Sequence, residues 1–330
     1  MYTNHCFKVL LFVFFIFTAL TYTIKKLVSD ESIKKTLKPK GIKPPQNSTF
    51  SEIKFFAVKG GRPYIKLFAT ESEWEPSLGL QIHESPNGVL ISDKNEKMNY
   101  SAQSGLINEN GVRSVLLKNK VKLTTDSSII HSDEVQYRFI DEYFYAHGNV
   151  WSQHRPENDQ GKIDVYADKL KYWNGPRRAI YDGNVKGELK RKRAYEPGLN
   201  FSATTISLEL NKSYVELQEN VMLKKQGLIA NALYGEIYLE NYNKKLKYYQ
   251  LSDDVKVRET ITLGNGKKIS RRAFAEKLEG FNQRDRIVLT GSPKVIQEEE
   301  IIKGNKISLT QNNEIIEVDD ANSKFIIKGK

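Results

Sequence analysis

The sequence predicts an all-β fold, with tandem antiparallel hairpins stacked into an open half-pipe and one transmembrane helix at the N-terminus. Three ladders of residues running in phase predict the β-array, and one uncharged run predicts the helix. The first ladder is a valine frame. Val121, Val150, Val185, Val221 and Val255 each close the same pattern, with apolar or small residues at alternate upstream positions and a turn-type residue two before the valine. The upstream sets are Val115, Leu117 and Asn119; Phe144, Ala146 and Gly148; Ala179, Tyr181 and Gly183; Val215, Leu217 and Glu219; Tyr249, Leu251 and Asp253. Successive strand side chains point to opposite faces, so the pattern describes strands with one apolar and one wet face, each broken by a corner. A looser sixth copy ends at Val295. The anchors stand 29, 35, 36, 34 and 40 residues apart, a spacing of stacked units rather than of a closed globule.

The second ladder is of small residues: Ala69, Ala102, Ser132, Ala167, Ala203, Ala232, Ala275 and Gly304, each preceding an alternating stretch such as Ala167-Asp168-Lys169-Leu170. The third is of turn residues between each such stretch and the next valine strand: Asn110-Gly111, Asp141, Asn174-Gly175-Pro176, Asn211, Asn243, Asn282 and Asn312-Asn313. Asn, Gly and Pro accept the backbone angles that reverse a chain, so these are hairpin tips. Each unit is then a strand, a tip and a returning strand with a corner near its end. Eight small-residue anchors imply about eight units joined by nearest-neighbour hydrogen bonding.

Ahead of the array, Val9 to Ile24 carry no charge and are dense in Phe, Leu, Val and Ile, with Lys8 before them and Lys25-Lys26 after. The run is short for a membrane span and long for a signal-peptide core, and no small-x-small cleavage pattern follows, so residues 1–28 read best as an uncleaved signal anchor. Lysines crowd its C-terminal side, which by the positive-inside rule alone favours the orientation opposite to an exported array. Residues 29–49 are polar and contain Pro39, Pro44 and Pro45, as in a stiff spacer. The single cysteine, Cys6, precedes the run and has no partner for an internal disulfide.

The chain holds 51 Lys and Arg against 40 Asp and Glu, a net charge of +11, with its densest cluster at Lys190, Arg191, Lys192 and Arg193. Such clusters attract phosphate of any origin. An exported chain excludes nucleic acid, and a phosphorylated glycolipid suits both charge and compartment. No catalytic constellation is present. The five histidines, His147 and His154 among them, lack metal-ligand spacing, and no cysteines accompany them for a zinc site. Gly264-Asn265-Gly266-Lys267-Lys268 lacks the first glycine and the Ser or Thr of a phosphate loop and reads as a hairpin tip. Neither a cofactor nor a metal is expected.

The anchor, the spacer and the alternating units of the form A-D-K-L, Asn tip and A-I-Y-D-G-N-V (Ala179 to Val185) resemble the OstA-like family of lipopolysaccharide-transport bridge proteins. Residues 50–155, with Ala69-Thr70-Glu71-Ser72 and the strand from Tyr143 to Val150, are similar to the membrane-anchored component, LptC. Residues 156–330, with Ala275-Glu276-Lys277-Leu278 and Leu289-Thr290-Gly291-Ser292-Pro293, are similar to the soluble periplasmic component, LptA. The resemblance implies a twisted, open β-jellyroll, anchored once in the inner membrane with its array in the periplasm. Through it lipopolysaccharide would pass from an inner-membrane ABC transporter towards the outer membrane, without enzymatic chemistry.

An apolar trough of this kind would shelter acyl chains, each buried methylene contributing about 0.8 kcal/mol. The residues expected to line it are Val115, Leu117, Val121, Phe144, Val150, Val215, Leu217, Val221, Leu223, Tyr249, Leu251, Val255 and Val257, with Lys190 to Arg193 near the head group. Terminal strands near Ile53 to Val58 and Ile315 to Lys328 are the expected docking edges for further β-jellyroll subunits. Two other architectures fit the repeat: a polysaccharide lyase or hydrolase on a parallel β-helix, and a surface adhesin or scaffold with a filled, dry interior.

Overall fold

The computed structural model describes residues 48–319, apart from residues 60, 93–94, 109–113, 156–160, 174–175, 192–197, 210, 241–244, 263–265, 267, 285, 299 and 311–314. The expected anchor and nearly all of the spacer lie outside the described residues. Among the described residues, no helix is long and apolar enough to cross a membrane.

The array starts with β1 (Ser48–Lys59) and β2 (Arg62–Glu75), so it takes in the last two residues of the expected spacer. Four short strands follow, β3 (Gly79–Glu84), β4 (Asn87–Ile91), β5 (Lys97–Ser101) and β6 (Ser104–Asn108). The long strands are β7 (Ser114–Thr124), β8 (Ser128–Arg138), β9 (Tyr143–His154), β10 (Gly161–Trp173), β11 (Arg178–Arg191), β12 (Leu199–Glu209), β13 (Tyr214–Lys225), β14 (Leu228–Leu239), β15 (Leu246–Thr262) and β16 (Lys268–Phe281). After a turn of 3-10 helix at Asn282–Arg284 come β17 (Arg286–Thr290), β18 (Lys294–Gln297), β19 (Glu300–Lys303), β20 (Lys306–Thr310) and β21 (Ile315–Asp319).

From β7 to β16 every strand pairs antiparallel with the next. Antiparallel pairing of sequential strands excludes the parallel β-helix, whose coils pair in parallel. The sheet runs unbroken across β9 and β10, where the LptC-like and LptA-like stretches were expected to meet.

Each valine strand carries two consecutive residues in the left-handed region immediately before its valine: Asn119-Lys120, Gly148-Asn149, Gly183-Asn184, Glu219-Asn220 and Asp253-Asp254. Gly291-Ser292 repeats the device between β17 and β18. Only Lys120, Glu219 and Ser292 fall outside Gly, Asn and Asp, the residues that take this conformation at least cost. On one side of each long strand the pair stands opposite a single residue, as Gly183-Asn184 stands opposite Thr204 between the pairs Asp182–Thr205 and Val185–Ala203. Two against one is a β-bulge, which bends the strand sharply. The corner thus lies in mid-strand, not near the strand end as the sequence suggests, and the chain continues past it as sheet.

The corners are braced by side chains. Asn149 Nδ2 donates to Asp133 Oδ2 at 2.7 Å, Asn184 Nδ2 to Asp168 Oδ2 at 3.0 Å, and Asn220 Nδ2 to Thr204 Oγ1 at 3.1 Å, always across to the preceding strand. Beside each corner the valine pairs with a member of the small-residue ladder: Val121 with Ser132, Val150 with Ala167, Val185 with Ala203, Val221 with Ala232 and Val255 with Ala275. The two ladders are therefore the two sides of one fold line. Val295 is corrected by this geometry: Pro293, directly after Gly291-Ser292, holds the place of the valines, and Val295 is the next inward position.

The line of corners divides the sheet into two leaves. β3 and β6 continue the first leaf with the N-terminal half of β7, while β4 and β5 continue the second with its C-terminal half. At the other end β17, β20 and β21 belong to the first leaf and β18 and β19 to the second. The sheet folds along this line so that its inner faces meet, and their apolar side chains form one cluster from Ala57 to Leu309. This is a jellyroll-like all-β fold. The expected trough is filled by its own side chains.

Replacing a corner glycine tests this account. An alanine at Gly183 (φ +80°) would be strained and would bring its Cβ within 2.9 Å of Asp168 Cβ, whereas at Gly266 (φ +81°), in a tip, it would meet nothing within 4 Å. Gly183→Ala is expected to cost about 2 kcal/mol or more and Gly266→Ala about 1 kcal/mol, read from urea midpoints. Equal costs would remove the corner's special role.

Candidate functional site

All thirteen residues expected to line the trough face inward and are between 0 and 5% exposed, in both leaves and from β7 to β15. Lys224 and Lys256, on the opposite face of the same strands, are exposed. The structure thus brings the expected lining together as one surface, packed face to face.

The inner face of the second leaf changes character with distance from the fold line. Along β9 the inward residues run Val150, Ser152, His154; along β13, Val221, Leu223, Lys225; along β15, Val255, Val257, Glu259, Ile261; along β18, Val295, Gln297. Lys225, Leu228, Glu259, Arg271 and Gln297 are successive cross-strand neighbours, so the polar positions form a row near the strand ends. In that row Arg271 donates from Nε and Nη2 to Gln297 Oε1 at 3.0 and 2.7 Å and lies 3.6 Å from Glu259. Burial holds the Arg271 guanidinium below its usual pKa. The inner face is apolar at the fold line and mixed at the mouth, where Ile163, Leu199, Leu228, Ile261 and Ile269 stand among these polar groups.

Of the expected head-group cluster, Lys192 and Arg193 lie outside the described residues. Lys190 and Arg191 end β11 rather than lying in a loop. Lys190 is on the outer face, its ammonium 2.9 Å from Glu188 and 3.2 Å from Asp164, contacts that raise its pKa. Arg191 falls on the inward side by strand alternation, in line with Leu189.

Sequence reasoning missed a polar bridge between the leaves. Tyr181 belongs to the first leaf, and its hydroxyl lies 2.7 Å from Ser152 Oγ and 2.7 Å from His154 Nε2, both in the second. His154 Nδ1 lies 2.8 Å from Ser128 Oγ. A neutral imidazole with one donor and one acceptor nitrogen satisfies this chain of contacts. Burial lowers the His154 pKa from 6.5 to about 4, opposed in part by Asp164. The signal was in the sequence: Ser152 and His154 continue the inward alternation of Phe144, Ala146 and Val150 but are polar. Among the described residues, no group of His, Cys, Asp and Glu is placed to hold a metal ion.

Because the folded chain holds His154 neutral, an unfolded chain takes up the proton first as pH falls. The contribution of this residue is complete above about pH 6.5 and is lost between 6.5 and about 4, amounting to about 3 kcal/mol at most. Urea unfolding at pH 7.5, 5.5 and 4 is expected to show a steeper loss for the natural chain than for His154→Gln; parallel curves would contradict it.

Residues 164–315 match the family described as LptA/(LptD N-terminal domain) LPS transport protein. A solved structure of LptH, the LptA-homologous periplasmic component of the lipopolysaccharide transport device of Pseudomonas aeruginosa, is similar at 16% identity, over 51% of this chain and 89% of that one, with a TM-score of 0.25. No curated protein matches the chain. Over residues 164–315 the chain is thus similar to the family of LptA and the LptD N-terminal domain, which is described as a lipopolysaccharide-transport family.

Proposed function

We propose that this chain carries lipopolysaccharide with the acyl chains held between the two leaves and the sugars and phosphates at the mouth. The observation that carries the reading is the continuous apolar inner face running the length of the array, with Lys225, Glu259, Arg271 and Gln297 gathered near the strand ends at its mouth. Tails exchanged for the self-contacts of the closed leaves keep the apolar surface dry, and each methylene removed from water contributes about 0.8 kcal/mol. The cargo needs no specific pocket and can move along the row of strands. The energy for movement comes from a partner.

The same reading places residues 1–28 in the inner membrane as a single-pass anchor, 29–49 as a spacer, 50–155 as an LptC-like receiving part and 156–330 as an LptA-like continuation. An inner-membrane ABC transporter would load the array. Two edges support end-to-end growth: among the described residues, β1 pairs only with β2 and β21 only with β20. Their free backbone groups suit strand addition by another β-jellyroll subunit. The filled interior equally suits a scaffold without cargo, so the two readings must be separated by capture of the lipid itself.

Photo-crosslinking side chains at Leu217, Val221 and Val255 are expected to capture lipopolysaccharide in cells, and those at Lys224 and Lys256 are not. Equal capture from both faces would contradict the lipid path. Capture from neither face, with the protein folded, would favour the scaffold.

A further inference from the structure

One half-open cavity, of about 290 Å³, lies at the mouth where the turn between β13 and β14 faces the turn between β16 and β17. Its lining combines two kinds of surface. Leu228, Ile261 and Ile287 supply apolar area, and Lys225 and Arg286 supply cationic groups from opposite leaves. Lys225 Nζ reaches across the mouth to donate to Asn282 Oδ1 at 2.7 Å. Arg286 donates from Nη2 to Ser308 Oγ at 2.9 Å, and its Nε is buried with no hydrogen-bond partner among the described residues. The Nε is screened from the cavity, so an oxyanion there meets the outer nitrogens of the guanidinium, whose fork suits a phosphate. The carboxylate that also lines the cavity, Glu259, lies 3.6 Å from Arg271, which offsets its charge.

We infer that this cavity is a head-group site for an acylated phosphomonoester, with the phosphate between Lys225 and Arg286 and the first methylenes against Leu228, Ile261 and Ile287. The inference rests on the lipid-carrying reading and adds to it a fixed station for the anionic group. At about 290 Å³ the cavity is at the small end of ligand sites, which run from roughly 300 Å³ upwards, so it takes a head group and not a whole multiply acylated lipid. The tails continue inward towards the fold line. Occupancy replaces the Lys225–Asn282 contact and so loosens the mouth at this end of the array.

The test uses the full chain in a neutral maltoside detergent and titration calorimetry with three probes: dioctanoyl phosphatidic acid, dioctanoylglycerol and inorganic phosphate. The phosphatidic acid is expected to bind at least tenfold tighter than dioctanoylglycerol, and inorganic phosphate far more weakly than either. Arg286→Gln and Lys225→Gln should each reduce the preference for the phosphatidic acid towards one, while Lys54→Gln, on the outer face of β1, leaves it unchanged. If Arg286→Gln does not fold, Lys225→Gln decides. Equal affinity for the two lipids, a preference that survives Lys225→Gln, or inorganic phosphate binding as tightly as the phosphatidic acid overturns the site. Absence of binding by dioctanoylglycerol as well as by the phosphatidic acid overturns the lipid-carrying reading beneath it.

Discussion

The two-residue left-handed corner is the constraint on which the rest of this fold depends. A meander of strands this long would otherwise be a broad twisted sheet with one greasy face turned to water. Bending every strand at the same level, beside a valine on one strand and a small residue on its neighbour, folds that face onto itself. The corner is locally unfavourable at Lys120, Glu219 and Ser292, where neither Gly, Asn nor Asp relieves the backbone. It persists because each bend is shared with its neighbours: the Asn149, Asn184 and Asn220 amides reach across to the preceding strand, and the apolar faces close behind them. Interruption of one corner therefore propagates to the two strands beside it.

That constraint also sets how the protein can work. The leaves are hinged along the fold line, and their free margins meet at the mouth. There the contacts are polar and individually modest: Arg177 with Glu96 at 2.8 Å and Lys225 with Asn282 at 2.7 Å, joined by the ring contact of Tyr64 with Phe139 at 4.8 Å between centroids. An exposed ion pair such as Arg177–Glu96 contributes at most about 1 kcal/mol. The deep layer, in contrast, is apolar and its contacts are non-directional. Tyr181 and His154 make a directional tie between the leaves, near the outer end of β9.

Much of this was legible in the sequence, for a physical reason. Period-2 alternation reports which face a side chain takes, and so the thirteen inward residues were identified without coordinates. The Asn and Gly residues before the valines reported the corner because few other residues tolerate its backbone. What the sequence did not disclose was anything dependent on which strand lies across the interior. Tyr181 reads as one more apolar repeat position until Ser152 and His154 are seen opposite it. Lys190 reads as a free cation until Asp164 and Glu188 are seen beside it. The closure of the half-pipe likewise depends on the summed bend of many strands, which no single repeat encodes. Val295 was misplaced because Pro293 stands where the other frames have valine, at a corner where the strand divides in two.

The central claim is that the leaves part along the mouth to admit lipid. It is tested most directly by placing spin labels at Glu96→Cys and Arg177→Cys in a Cys6→Ser background and measuring their separation by pulsed electron resonance, with and without lipopolysaccharide. The account predicts a single short distance in the lipid-free chain and a longer one when lipopolysaccharide is bound. A distance unchanged by bound lipopolysaccharide would show that the leaves stay closed and would contradict it.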